Sequence, residues 1–304
     1  RSGANAELRT VDRAADEAPA IAEAIEELRA NGYAYRDQAV LCTGNGKLAI
    51  FAADLEALGI PVLFLGNLFE RREVRDLLAF LSLLVDRRAT GLLRIGRLND
   101  FQLSLSDVAA TIEGLRAEQP QDSDWRSRID SLEEVSPAGK ATLRSIANTI
   151  QGFDKTSSPW SVLATVLFDR TRLGVELAKA SAVTDRTAAI AVWQLMNFLK
   201  HQPAGKGLPI PRVLERIRSL VRLGDDKELR KIPEVASGLD GIRLLTVHGA
   251  KGLEFPVIHF PGLNNTSLPK SFQRPSCPAP EGMIEGATEE PDLHDRNSHD
   301  EEQQ

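Results

Sequence analysis

The 304-residue sequence contains only two cysteines, Cys42 and Cys277, and they lie far apart in dissimilar surroundings. This scarcity argues against a disulfide framework and predicts a reducing compartment, the cytoplasm. The five histidines and two cysteines show no spacing typical of a metal site. No apolar run approaches the roughly 18–20 residues that a membrane-spanning helix requires. We therefore expect a protein with no bound metal and no membrane partner.

Net positive charge is also lacking, because the formal net charge is −6 at pH 7. The acidic excess is concentrated in residues 281–304, which contain nine acidic residues and one arginine. Acidic tails of this kind are usually solvated, and the rest of the chain carries a net charge of +2. Charge alone therefore neither supports nor excludes DNA as a partner.

The Gly-Lys-Ser/Thr signature of a phosphate-binding loop is absent, although the stretch Ala39–Phe51, AVLCTGNGKLAIF, has a similar layout. A short apolar run ends in a glycine-containing loop with Lys47, and an amphipathic helix follows. Leu41 stands where the first glycine of the pattern should be, and Leu48 replaces the hydroxyl residue that would hold magnesium. The loop therefore needs another explanation.

Strand and helix patterns alternate over the first 86 residues. Strands are predicted at Glu7–Asp12, Gln38–Cys42 and Ile60–Gly66, and they resume at Gly241–Gly249 and Pro256–Gly262. Between Asp86 and about Pro233, only helical periodicities are clear. This order predicts an α/β domain with a parallel sheet that is interrupted by an inserted all-α domain. Three serial domains are the alternative, but the terminal α/β parts are too short to stand alone.

The densest group of polar residues lies in the stretch Leu244–Pro269, where one buried strand leads through a loop into another. The loop offers four polar side chains: Thr246, His248, Lys251 and Glu254. Loops at the carboxyl ends of such strands are where α/β domains bind ligands. The glycines at 249 and 252 allow the backbone to approach a phosphate. The alternative is an ordinary polar connection whose histidine and lysine face water.

The segment TVHGAKGLEFP closely resembles motif V of the UvrD/Rep/PcrA-type superfamily 1 DNA helicases, and Ala39–Phe51 resembles their motif IV. The stretch LGIPVLFLGNLFERREVRDLLAFLSLLVD resembles the segment after motif IV. The resemblance implies a RecA-like, P-loop-NTPase-type domain called 2A, without its own Walker A motif. Domain 2A would comprise residues 1–86 and 236–304, with an acidic tail from about residue 270. The helical residues 87–235, similar only in position and character, would form the inserted domain 2B.

The resemblance also implies roles for individual residues. Thr246 and His248 would lie toward the backbone of single-stranded DNA, and Lys251 would either bind phosphate or pair with a neighbouring acid. Glu254 would reach the ribose of ATP, with Gly252 and Cys42 at the nucleotide. Hydroxyl, imidazole and ammonium groups donate to phosphate oxygens without reading sequence.

Motif IV departs from the family pattern. The family usually has an aromatic residue that stacks on adenine, followed by an arginine that reaches the γ-phosphate. Those two positions hold Cys42 and Thr43 here. Lys47 is the only cation in the loop, and one hypothesis is that it replaces the arginine. Lysine lacks the guanidinium fork, however.

The chain begins at Arg1 without a methionine and ends in His299–Gln304, a stretch that normally precedes motif VI. We therefore expect a piece of a longer protein, whose domains 1A and 1B would carry Walker A and Walker B and would hold Mg²⁺. ATP and Mg²⁺ are cofactors expected only of the full-length protein, and the present chain alone should not hydrolyse ATP.

The resemblance predicts part of a 3′–5′ ATP-dependent DNA helicase for repair, replication or recombination in the bacterial cytoplasm or nucleoid. Its partners would be single-stranded DNA, a duplex junction, and domains 1A and 1B of the same chain. One alternative is a non-motor DNA-binding or scaffold subunit derived from a decayed helicase, which the missing arginine favours. A stand-alone metabolic α/β enzyme is a third possibility, and no separate substrate pocket supports it.

Three further predictions concern residues outside these motifs. His259 lies in an apolar strand, which favours a hydrogen-bonded structural histidine over a ligand. The three tryptophans occur among apolar residues and are expected in the core: Trp125, Trp160 and Trp193. The basic stretch Arg212–Pro233 is either a salt-bridged, solvated face or a contact to duplex DNA.

Overall fold

A computed structural model describes residues 6–117, 124–179, 182–203, 205–224, 229, 232, 236 and 238–263. The expected acidic tail from about residue 270 and Cys277 lie outside these residues. None of the helices in the described ranges is both long and apolar enough to cross a membrane.

Helices and strands alternate in the first part of the chain. A run of helices follows, and two strands come last. In chain order, the helices are α1 (Glu17–Ala30), α2 (Asn45–Ala57), α3 (Arg72–Leu83), α4 (Leu92–Ile95), α5 (Leu105–Ala117), α6 (Pro137–Thr149), α7 (Pro159–Thr165), α8 (Leu173–Ala178), α9 (Val183–Lys200) and α10 (Pro209–Leu223). The strands are β1 (Gln38–Cys42), β2 (Val62–Leu63), β3 (Ile242–Thr246) and β4 (Val257–His259). A π-helical turn, Val166–Arg170, follows α7.

The chain divides into two compact units. The sheet unit comprises Arg1–Ile60 and Ile242–Gln304, and the helical unit comprises Pro61–Gly241. The helical unit is thus a single continuous segment between the two parts of the sheet unit. The domain limits expected from the sequence, at residues 86/87 and 235/236, stay a prediction.

The sheet unit is built on parallel strands in the order β3–β1–β4. Ala39 of β1 is in register with Arg243 of β3 and with Ile258 of β4. All five residues of β1 are buried, as expected for a strand flanked on both edges and covered by helices. The parallel sheet with packed helices confirms the α/β class.

Two helices of the sheet unit bury residues at helical spacing. Helix α1 buries Ala18, Ala22 and Ile25 and is followed by Gly32, whose φ of 98° turns the chain. Helix α2 buries one stripe, Leu48, Phe51, Ala52 and Leu55, and packs against α1, β1 and β3.

The strand expected at Glu7–Asp12 is wrong. Residues 7–11 form no regular element and are exposed. Arg9 forms ion pairs there with Glu7 and with Glu27 of α1. The segment offers too little apolar surface to be buried against the sheet. Its polar groups therefore interact with solvent and form ion pairs instead.

The helical unit has one hydrophobic core, to which most of its helices contribute. Trp125 is 2% exposed, and its indole N–H donates to the carbonyl oxygen of Leu83 at 3.0 Å. The core prediction is therefore confirmed for Trp125. It is wrong for Trp160 and Trp193, which are 40% and 48% exposed.

One carboxylate joins the starts of two helices in the helical unit. Asp107 of α5 accepts hydrogen bonds from the Ser104 hydroxyl (2.7 Å), the Ser136 backbone N–H (2.8 Å) and the Ser136 hydroxyl (3.0 Å). Ser136 in turn accepts from the N–H of Gly139 in α6. The hydrogen bond from Ser104 is the largest of the causes that lower the pKa of Asp107.

Three arginines of α10 are engaged within the helical unit. Arg212 donates to the carbonyl oxygen of Gly205 at 2.6 Å, and Arg216 donates to Gln202 at 3.1 Å. Arg218 pairs with Glu215 at 3.3 Å. These contacts favour the salt-bridged face over the duplex contact for this stretch, of which the structure describes only part.

Candidate functional site

The carboxyl ends of β1, β3 and β4 meet at one edge of the sheet, because the three strands are parallel. Cys42, the last residue of β1, is in register with Thr246, the last residue of β3. The backbone N–H of Val247 donates to the carbonyl oxygen of Cys42 at 3.1 Å. The segments that resemble motif IV and motif V are therefore neighbours at the edge where α/β sheets bind ligands.

The segment after β3 folds into a tight turn. The N–H of Ala250 donates to the carbonyl oxygen of Thr246 at 2.9 Å, and that of Lys251 donates to the carbonyl oxygen of His248 at 3.3 Å. The Thr246 hydroxyl oxygen accepts from the N–H of Gly249 at 3.0 Å. A hydroxyl that accepts one hydrogen bond still has its own proton to donate. Thr246 therefore fixes the turn and retains a donor for a ligand.

Glycine is favoured at two positions of this turn. A Cβ added at Gly249 would lie 3.0 Å from the Thr246 hydroxyl oxygen, so a larger residue would press on that hydrogen bond. Gly252 has a φ of 84°, a left-handed conformation that ends the turn and redirects the chain toward β4. The spacing of these glycines thus follows from the geometry of the turn.

The polar side chains of the turn point to solvent, since His248, Lys251 and Glu254 are exposed. Phe255 follows them, and its ring lies 5.8 Å from the guanidinium of Arg243 in β3. A contact of this type fixes the far end of the loop to the sheet. The arrangement presents hydrogen-bonding groups on a backbone that is held at both ends.

The loop after β1 offers backbone groups more than side chains. Helix α2 begins after Gly44, which has no side chain to cap the first turn. Uncapped N–H groups at the positive end of a helix dipole attract anions. Thr43 is partly buried, and Cys42 has no exposed surface. Burial raises the pKa of the Cys42 thiol to about 11, so it stays a neutral thiol.

Lys47 does not extend freely into the loop. It is partly buried, and a Cβ placed on Gly262 would lie 2.9 Å from the Lys47 ammonium nitrogen. The ammonium therefore lies against the backbone of the segment that leaves β4. Gly262 was not singled out in the sequence, although a glycine close to the end of a strand can mark such a close approach.

His259 has a structural role in β4, as expected. Its Nε2 lies 2.9 Å from the side-chain oxygen of Gln38, whose amide nitrogen donates to the carbonyl oxygen of Ile25 at 3.3 Å. The Gln38 amide is thereby oriented with its oxygen toward His259, so Nε2 carries the proton. Burial is the main cause that lowers the pKa of His259 to about 4, and the charge of Arg9 adds to it.

The structure brings Cys42, Thr43, Lys47 and Thr246 to one edge of the sheet, with His248 on the adjoining turn. Lys251, Gly252 and Glu254 lie further along the same turn, and their binding roles stay predictions. Within the described residues, no three histidine, cysteine or carboxylate side chains are grouped as metal ligands would be.

Comparison with known proteins identifies the family. Residues 1–115 and 178–293 match the profile of the UvrD-like helicase C-terminal domain, which is well over half of the chain. The chain belongs to this family. The resemblance seen in motifs IV and V is confirmed, and the family domain spans both parts of the sheet unit.

Several relatives of this UvrD-like domain are ATP-dependent DNA helicases. The chain is 25% identical over 262 residues to helicase Rep of Escherichia coli (strain K12), covering 77% of this chain and 35% of Rep. It is 27% identical over 288 residues to UvrD1 of Mycobacterium leprae, covering 85% and 36% of the two chains. With PcrA of Bacillus subtilis, it shares 24% over 250 residues, covering 77% and 32%. The chain thus spans about a third of the length of these curated relatives.

Proposed function

We propose that this chain is the C-terminal motor part of an ATP-dependent DNA helicase. Its sheet unit would be part of the RecA-like domain 2A, which forms one wall of an ATP cleft and binds single-stranded DNA. The helical unit would contain the inserted domain 2B. The observation that carries the proposal is the meeting of the motif IV loop and the motif V turn at one edge of the parallel sheet.

Single-stranded DNA would bind through the motif V turn. The Thr246 hydroxyl keeps a donor after accepting from Gly249, and His248 and Lys251 are exposed beside it. These groups donate to phosphate oxygens and contact no base edge, so the expected binding is independent of base sequence.

ATP would bind with its ribose near Glu254 and its phosphates toward the first turn of α2. Gly252 provides the backbone turn that presents Glu254. Cys42 is buried, so it would act through its backbone rather than through its thiol. Magnesium would be held by domains 1A and 1B, since the 304 residues include no Gly-Lys-Ser/Thr loop. For the same reason, these residues alone would not hydrolyse ATP.

The wider setting is part of the same proposal. The parent protein would move 3′ to 5′ on DNA during repair, replication or recombination in the bacterial cytoplasm or nucleoid. A duplex junction and domains 1A and 1B would be its other partners. The names of the relatives support helicase activity, and the polarity rests on the family resemblance alone.

DNA binding is tested with the 304-residue protein and a fluorescent oligo(dT), by anisotropy at several salt concentrations. Lys251→Met should lower the slope of log affinity against log salt by about 0.7, the value for one phosphate contact on a single strand. Lys155→Met, which removes another exposed lysine, is the matched control. If the two variants have equal slopes, Lys251 does not contact phosphate and pairs with a neighbouring acid instead.

The role of Thr246 is tested in the same assay. Thr246→Ser keeps the hydroxyl and should bind nearly as the parent does. Thr246→Val keeps the shape but loses the acceptor for Gly249 and the donor for phosphate, so affinity should fall about 10-fold or more. Equal affinities for the serine and valine variants would remove Thr246 from the DNA site.

ATP coupling is tested in the complete protein by DNA-stimulated ATPase activity. Glu254→Gln should raise KM for ATP, because the amide is a weaker acceptor for ribose hydroxyls than the carboxylate. Lys47→Ala tests the hypothesis that Lys47 replaces the missing arginine, and unchanged turnover would refute it. Its contact with Gly262 gives Lys47 a structural role whichever result is found.

A non-motor DNA-binding or scaffold subunit is the second candidate. The observations that favour it are the threonine at the position of the family's arginine, Thr43, and the Lys47 ammonium that lies against Gly262, because neither offers a guanidinium to a γ-phosphate. A complete protein that binds oligo(dT) but shows no DNA-stimulated ATPase would establish this alternative.

A further inference from the structure

A cavity of about 380 Å³, open to solvent on one side, lies in the helical unit between α3, α8 and α9. Its floor is apolar and includes the buried side chains of Leu77, Leu167 and Val192. A volume of this size, with an apolar lining and a few polar groups, is typical of small-molecule sites. Neither the motif IV loop nor the motif V turn contributes to it.

Helix α8 is incompletely packed where it borders this cavity. None of its six residues is fully buried: Leu173 and Leu177 pack only partly against the core, and both line the cavity. At Gly174, a Cβ would lie 2.6 Å from the carbonyl oxygen of Leu167, so the helix is held close to the π-helical turn there. The leucines thus face a space that a ligand would fill, and their burial would stabilise the complex.

Acidic residues outnumber basic residues around the cavity. Glu73 pairs with Arg71, and Asp76 pairs with Arg94 at 2.8 Å, so both carboxylates are compensated within the protein. Two more carboxylates line the cavity from facing helices, Glu176 on α8 and Asp185 on α9, and both are exposed. Lys179 is the one basic residue among the described lining residues. The balance favours a ligand with a positive charge.

We propose that this cavity binds a small organic cation with an apolar body. The hydrocarbon part lies on Leu77 and Leu177, and the ammonium, amidinium or guanidinium group lies between Glu176 and Asp185. The site is separate from the proposed ATP and DNA contacts, so it stands whether the parent protein is a motor or a scaffold.

Benzamidine and benzamide form a matched pair of probes, because they share shape and differ in charge. Ligand-observed NMR titration of the 304-residue protein should give saturable benzamidine binding in about the millimolar range. Benzamide should bind about 10-fold more weakly. The double variant Glu176→Gln/Asp185→Asn should reduce benzamidine affinity about 10-fold and bring it close to that of benzamide. Glu133→Gln/Glu134→Gln removes two exposed acids elsewhere in the helical unit and should change neither value.

Two variants test the location of the site. Ala188→Trp fills the cavity, and Leu177→Lys places a cation of the protein's own in it; each should abolish benzamidine binding. Leu177 lies at the partly exposed edge of the core, so its substitution disturbs the fold less if the tryptophan variant fails to fold. The proposal is overturned by absence of saturable binding, by equal affinities for the two probes, or by retained binding in Leu177→Lys.

Discussion

Protonation of His259 should weaken the sheet unit at mildly acidic pH. The ring has an ordinary pKa of 6.5 and a pKa of about 4 in the folded chain. Below pH 6.5, the unfolded chain therefore binds a proton that the folded chain does not. The contribution to stability is complete above about pH 6.5 and is lost as the pH falls toward 4.

The size of this loss of stability follows from the difference between the ordinary pKa of histidine and the pKa of His259 in the folded chain. A pH of 5.0 is about 1.5 units below the ordinary pKa of histidine. At 1.36 kcal/mol per unit, protonation of the unfolded chain then lowers the free energy of unfolding by about 2 kcal/mol. Because the ring is partly exposed, solvent screening reduces this to about 1–2 kcal/mol. The physical cause is that Nε2 already donates to Gln38, while a second proton would place positive charge on a largely buried ring and near Arg9.

Hydrogen exchange of the β1 amides in urea, corrected for the intrinsic pH effect, measures the stability of the sheet unit directly. Between pH 7.5 and 5.0, the parent should lose about 1–2 kcal/mol more than His259→Gln, whose amide can still donate to Gln38. His248→Gln, which removes an exposed histidine, should behave as the parent does. An equal pH dependence in the parent and in His259→Gln would refute the reasoning.

Three other predictions concern stability and reactivity. Asp107→Ala should lower the free energy of unfolding of the helical unit by about 2–4 kcal/mol, measured in urea by the fluorescence of its three tryptophans, because Ser136 loses its acceptor. Gly139→Ala should destabilise by about 1–3 kcal/mol in the same assay, because its Cβ would lie 2.5 Å from the Asp107 carboxylate; a neutral or stabilising effect contradicts this. In a Cys277→Ser variant at pH 8, Cys42 should react with a disulfide reagent at least about 100-fold more slowly than a free thiol, because its thiolate is scarce. Rapid labelling without urea would contradict its burial.

The strands were predictable where local pattern decides them. The largely apolar stretch Gln38–Cys42 forms β1 with the expected limits. The expected strand Ile60–Gly66 is reduced to Val62–Leu63, since Pro61 has no N–H to donate and Gly66 has a φ of 58°. Periodicity shows which residues can be buried, but it does not show how far a strand continues.

The residues of the candidate site were predictable, but the directions in which their side chains point were not. The spacing in motif V indicates a turn, and the turn exists with Thr246 at its start. The position of the Lys47 side chain depends on where the segment after β4 passes, which no local pattern encodes. The exposure of Trp160 and Trp193 likewise depends on how α7 and α9 pack.

The motif IV loop and the motif V turn offer different chemical groups. This difference distinguishes the motor function from the scaffold function. In the proposed function, the motif V turn supplies the hydrogen-bond donors for a DNA backbone and the Glu254 carboxylate for a ribose. The motif IV loop presents backbone amides and Thr43, while Lys47 lies against Gly262. DNA binding needs only the first group, whereas ATP-driven movement also needs a positive charge at the γ-phosphate. A complete protein in which ATP turnover responds to DNA must therefore either release Lys47 from Gly262 or obtain that charge from another segment.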